Sequence, residues 1–261
     1  SERVRMRYLG FNSGRNVESS ISESEVNALQ GIDGAKSLVI ADAFEAIASP
    51  GSIAAKKARE FAPFDVVNLD LCRSVARAEP GSNFSVFEAL KRVLELQDET
   101  QAGEWVLFLT THAHPASVHA HAFRILVKCI RDNVGTHASF GDQLDAALGV
   151  KVGHLDEPSG LANSKFALTL ALGIGKWLLH TVAGEVGGWE VELTDKNYWY
   201  GVAGPDPDML SLSFRFVRRP SVQDTTGLTK PRSRSGSRDE LTLATGMING
   251  LGNIADPEAI F

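Results

Sequence analysis

Two strand-like segments separated by only six residues dictate how the C-terminal third of this chain folds. Residues 189–202 (WEVELTDKNYWYGV) and 209–217 (MLSLSFRFV) are rich in the aromatic and β-branched residues of strands. The stretch between them, AGPDPD at 203–208, is built of turn residues. Parallel neighbours need a crossover of a dozen or more residues, so these two segments must pair antiparallel. Immediately upstream, 164–182 (SKFALTLALGIGKWLLHTV) reads as a long apolar helix.

The rest of the chain alternates. Residues 4–11 (VRMRYLGF) read as a first strand and 17–21 as a weak second one, followed by a short helix at 23–30. The run 37–43 (SLVIADA) is a short, continuously apolar strand of the kind covered on both faces. An amphipathic helix follows at 53–61, a strand at 64–71 (FDVVNLDL), a helix at 84–97 with Ser82 as its N-cap, and a buried strand at 105–110 (WVLFLT). Helices at 116–133 and 139–148 complete the pattern. Strands alternating with helices imply crossover connections and a parallel sheet.

Composition narrows the function classes. The chain has 261 residues, 43% of them hydrophobic, and a formal net charge of −6. Affinity for nucleic acid comes largely from neutralising phosphates, so an acidic body does not support a general nucleic-acid binder. The run 166–182 is interrupted by Gly173, Gly175, Lys176 and His180 and does not read as a membrane span. The first residues are basic but have no long apolar core, so they lack a signal-peptide pattern. Cys72 and Cys129 both fall in apolar runs, where a free buried thiol is expected, and two cysteines are no disulfide framework. The expected compartment is the cytoplasm.

The polar residues at the strand ends carry the chemistry. Asp42 closes its strand in IADAFEAI, Asn68 and Asp70 close the next in FDVVNLDL, and GFNSGR at 10–15 follows the first strand. In open α/β sheets, ligands bind at the carboxyl ends of the strands. With this element order and its closing hairpin, the chain resembles the class I S-adenosylmethionine-dependent methyltransferases. The resemblance implies a three-layer α/β sandwich, with a mostly parallel sheet ending in an antiparallel C-terminal hairpin, and S-adenosylmethionine as cofactor. It implies that Asp42 bonds the adenine amine while Ala43 and Phe44 pack on the ring. Gly10 and Gly14 would let backbone approach the methionine moiety. Glu23, or Glu18, would grip the ribose, and Asn68 would border the cofactor. Asp70 would act as base or orient the acceptor. Residues 70–73 are Asp-Leu-Cys-Arg in place of the Asp/Asn-Pro-Pro-aromatic motif of amino-methylating members, so methylation of adenine or cytosine amines is not implied. The glycine-rich loop also lacks its usual preceding acidic residue. A second reading is therefore a methyltransferase-like subunit that has lost catalysis and serves as a scaffold in a complex.

A histidine cluster raises a third reading. Residues 110–121 (TTHAHPASVHAH) space His112 and His114 as metal ligands are spaced, and His154 follows at a distance. This looks like the metallo-β-lactamase signature, but its Asp-His pair is replaced by Ala116 and Ser117. Under the methyltransferase resemblance, His112 or His114 instead touches substrate or removes the acceptor proton, and no metal is assigned. The aromatics at 198–200 are expected to pack the sheet.

The expected organisation is an α/β domain over 1–217, a linker over 218–238 and a tail over 239–261. The linker is rich in Ser, Thr, Pro and Gly and carries six cations against Asp224. The tail could form a short helix that docks on the body or on a partner protein.

Overall fold

The structure is a computed structural model that describes residues 7–11, 36–77, 85–136, 138–149, 151, 153, 155, 161–184, 188–194, 197–201 and 208–218. The protein is a mixed α/β chain with a mixed sheet. It divides into two compact units: residues Ser1–Phe64 with Gly81–Gln101, and Asp65–Pro80 with Ala102–Phe261.

In the first unit, β1 (Arg7–Phe11) and β2 (Lys36–Ile40) pair in parallel, from Arg7 opposite Lys36 to Phe11 opposite Ile40. The strand and helix expected at 17–21 and 23–30 lie outside the described residues. A short 3-10 helix, Phe44–Ala48, follows β2. Helix α1 (Ile53–Phe61) begins where the Ser52 hydroxyl accepts the Ala55 N–H at 2.9 Å. It buries Ala54, Ala55, Ala58 and Phe61. Helix α2 (Val86–Glu99) is capped by Ser85, whose hydroxyl accepts the Glu88 N–H at 3.1 Å. Ser85 takes the capping role expected of Ser82 because Ser-Val-Phe-Glu at 85–88 is a capping box. Fully buried Gln97 clips this helix to Phe64, accepting its N–H at 2.8 Å and donating to its carbonyl at 2.6 Å.

The second unit holds the larger sheet. Strand β3 (Val66–Asp70) lies parallel to β4 (Glu104–His112). On the other side of β4 runs β7 (Met209–Arg218), antiparallel to it over nine register pairs from Glu104–Val217 to His112–Met209. Strands β5 (Trp189–Leu193) and β6 (Tyr198–Tyr200) both pair antiparallel with β7. The antiparallel hairpin follows from its loop length, as expected. Its first arm, however, is broken in two. Between Leu193–Phe214 and Tyr198–Ser211 the chain advances five positions against three on β7. Side chains fill the gap: Asn197 Oδ1 accepts the Ser213 N–H at 2.8 Å, and the Thr194 and Ser213 hydroxyls are bonded to each other.

Helices α3 (Ala120–Thr136), α4 (Ala138–Leu148) and α5 (Asn163–Gly184) belong to this unit. Helix α5 packs on α3 and reaches β5 and β7. Every residue from 166 to 176 is buried, Thr169 and Lys176 among them. The core of the sheet forms where Trp105 stacks on Phe216, ring centroids 4.1 Å apart, with Trp189 edge-on to Trp105. On β4, Trp105, Leu107, Leu109 and Thr111 are buried, while Glu104, Val106, Phe108, Thr110 and His112 alternate outward. Val66, Asn68 and Asp70 of β3 are likewise exposed. One sheet face is thus core, and the other is open along β3 and β4, while Met209 and Ser213 on that face of β7 are buried. No helix among the described residues is long and apolar enough to cross a membrane. Cys72 is exposed rather than buried, because it follows the strand end in a surface turn, and Cys129 is half-buried on α3.

Candidate functional site

The open face of the β3–β4–β7 sheet gathers the polar residues expected at the strand ends. Paired residues on neighbouring strands share a face. The pairs Asp70–Thr110, Thr110–Ser211 and Ser211–Tyr198 therefore run as one row across four strands. The Thr110 hydroxyl reaches the Ser211 hydroxyl at 3.4 Å within this row. The next row on the same face is His112–Met209–Tyr200. One row earlier stand Asn68, Phe108 and Ser213. Asp70 and His112 are diagonal neighbours, roughly 8 Å apart at the backbone from one strand spacing across and two residues along.

The local fold holds these groups in place. After β3 the chain continues alongside β4, where the Leu71 N–H bonds the Thr110 carbonyl at 2.9 Å. The Thr111 hydroxyl, fully buried behind the site, accepts the Val75 N–H at 2.7 Å and donates to the Arg73 carbonyl at 3.3 Å. That anchor fixes the turn following Asp70. Tyr200 has its phenol pushed above the ordinary tyrosine range, first by burial and then by the charge of Asp70. It stays a protonated donor at neutral pH. Asp70 and His112 together offer a carboxylate and an imidazole on one exposed surface, the usual partners in proton transfer.

His114 is not part of that surface row. It caps the 3-10 turn Pro115–Ser117, its Nδ1 accepting the Ala116 N–H at 3.2 Å while its carbonyl accepts the Ser117 hydroxyl at 2.6 Å. Among the described residues, no three His, Cys, Asp or Glu side chains converge as a metal site. His154 lies outside the described residues.

The cofactor residues expected near the N-terminus belong to the first unit. Asp42 follows β2, and its Oδ1 accepts the Ala43 N–H at 2.8 Å, just ahead of the 3-10 helix that Phe44 opens. Phe44 meets Phe11 edge-on, ring centroids 6.0 Å apart. Gly10 and Phe11 lie within β1 rather than in a loop after it. A Cβ on Gly10 would come within 3.0 Å of the Tyr8 ring and 3.2 Å of Val39, so the missing side chain makes room for strand packing. Gly14 and Glu23 lie outside the described residues. The first unit also carries a cleft of about 500 Å³ lined by Lys56, Arg59, Glu88, Arg92 and Glu95, among others. Its arginines are already matched, Arg92 to Glu95 and Glu99 and Arg59 to Glu99, so it is a solvated helix surface.

Sequence reasoning missed Thr110, Ser211 and Tyr200 as members of the Asp70 surface. The alternation of polar and apolar residues in SLSF at 211–214 carried the signal, but the register of β7 on β4 was needed to read it. A family model described as PP_RS20740-like matches residues 1–258. The chain belongs to this PP_RS20740-like family. No curated protein and no solved structure matches it. The chemistry of this PP_RS20740-like protein therefore rests on its own geometry.

Proposed function

We propose that this protein is a S-adenosylmethionine-dependent methyltransferase of the three-layer, methyltransferase-like class. The acceptor is held at the open carboxyl end of β3 and β4. The observation that carries the reading is the sheet order: a parallel β3–β4 pair extended by an antiparallel β7 with β5 and β6 beyond it, and Asp70 on the exposed face at the end of β3. The corner after β2 fits an adenine in part. Asp42 offers a carboxylate at a strand end, and Phe44 with Phe11 gives an apolar ring pair beside it. Gly10 does not fit a backbone cradle, because Tyr8 and Val39 fill the space.

When bound, the cofactor supplies an electrophilic methyl group on a sulfonium. The chain's own contribution is to orient the acceptor and take its proton. In this reading Asp70 would take up the proton that the acceptor loses when it is methylated. His112 stands beside Asp70 as a second proton acceptor, and Thr110, Ser211 and Tyr200 supply hydroxyl groups to a polar acceptor. The strand packing at Gly10 favours a second reading, a methyltransferase-like scaffold without turnover.

Calorimetric titration of S-adenosylmethionine and S-adenosylhomocysteine into the intact chain separates the two. Micromolar binding that is lost in Asp42→Ala is the expected result. Absence of binding to folded protein would overturn the enzyme reading in favour of the scaffold.

A further inference from the structure

The sheet face beside Asp70 is built as a shallow trough. Its floor is Thr110 on β4 and Ser211 on β7, short side chains whose hydroxyls stand 3.4 Å apart. Asp70 on β3 forms one side, Tyr198 and Tyr200 on β6 form the other, and His112 stands at the end of the floor. The two sides are three strand spacings apart, roughly 14 Å at the backbone. The two phenol rings lie 5.8 Å apart at 37°, so they make one tilted platform rather than the facing walls of a box. The charge of Asp70 acts on the Tyr200 phenol, which puts the two sides within electrostatic reach of each other.

The fold makes little use of these polar groups itself. Among the described residues, the side chains of Asp70, His112, Tyr198 and Tyr200 have no hydrogen-bond or ion-pair partner. Asp70 is exposed and the other three are half-buried, so all four are open to a ligand. A carboxylate accepts short, strong hydrogen bonds from neutral hydroxyls, and phenols and aliphatic hydroxyls both donate and accept. Such a set matches a ligand that is itself dense in hydroxyl groups. The phenol platform adds an apolar surface on which the C–H face of a ring can pack. No lysine or arginine stands in the two rows that form the trough, so a phosphate or sulfate would meet a carboxylate and no counter-charge. A lone ammonium, with three donors at most, would leave most of the hydroxyls unused. We propose that this trough binds a neutral saccharide. Asp70 accepts from adjacent ring hydroxyls, Thr110 and Ser211 bond the sugar from below, and one sugar face packs on Tyr198 and Tyr200. The inference rests on the proposed function for its placing of the acceptor on this face, and not on methyl transfer itself.

The test is saturation-transfer NMR of the intact chain with short neutral oligomers of glucose, galactose, mannose and N-acetylglucosamine, and with a sialylated oligosaccharide as the anionic comparison. Asp70→Asn and Tyr198→Leu are measured alongside, their folding checked by circular dichroism; Asp70→Asn changes one exposed side chain to its isostere. Transfer to at least one neutral oligomer, severalfold weaker in each variant, is the expected result. No transfer to any neutral oligomer overturns the proposal, as does transfer that either folded variant leaves unchanged or transfer to the sialylated sugar alone. The calorimetric titration with S-adenosylmethionine reads the other unit, at Asp42, and keeps the two failures apart. Cofactor binding without saccharide binding overturns this inference alone, and saccharide binding without cofactor binding overturns the enzyme reading alone.

Discussion

Gly173 sits where α5 packs against α3: a Cβ built on it would stand 2.6 Å from Leu126 Cβ. In sequence this glycine is only an interruption in an apolar run, since its meaning depends on a residue 47 positions upstream. Gly173→Ala should lower stability by about 1–3 kcal/mol through overpacking. Urea denaturation would show it. Tyr200 makes a second residue-level claim. Its phenol is raised by burial and by Asp70. The folded state thus holds this proton more tightly than the unfolded chain, and the associated stability is present below the ordinary tyrosine range and lost as pH rises through the folded value. In an ultraviolet titration, Tyr200→Phe should remove a component that ionises above the ordinary tyrosine range.

Elements whose signals are local were legible in the sequence. Helix α1 occupies 53–61 as expected, because Ser52 caps it and three alanines and Phe61 mark its buried face. The start of α2 was misread by one capping box, Ser85 for Ser82. The break between β5 and β6 was not legible, because it depends on Thr194 and Asn197 meeting Ser213 from the far arm of the hairpin. Side-chain clips of this kind are testable. Thr111→Val keeps the shape but leaves the buried Val75 N–H without its acceptor, at a cost of about 1–3 kcal/mol. Thermal unfolding should register the loss, and amide exchange should quicken at 73–76 first. Arg92 holds the Glu99 carboxyl below its usual range, chiefly by a hydrogen bond. A depressed carboxyl contributes stability above its unfolded value that disappears as pH falls through the folded one. Arg92→Gln should therefore flatten the acid limb of the stability–pH curve near pH 4.

Across the whole molecule, the candidate site was legible as polar residues at strand ends but not as a surface. Asp42, Asn68 and Asp70 could be singled out because strand ends are where open sheets bind ligands. Which groups stand beside Asp70 depends on register between β4 and β7, strands a hundred residues apart in sequence, which no local pattern encodes. The packing role of Gly10 was not legible for the same reason: its partner Val39 comes from another strand. The same register has a consequence for synthesis. Strand β7 lies between β4 and β5, yet it is made after both. A nascent chain that has delivered β3, β4 and α3 to α5 still has exposed ladder groups on β4 and an unfilled slot in the sheet. Tertiary closure must wait for residues 209–218 to clear the ribosome, so partly made chains are sticky substrates for holdase chaperones, and translation stalls before this point should send the product to proteolysis rather than to a usable fragment.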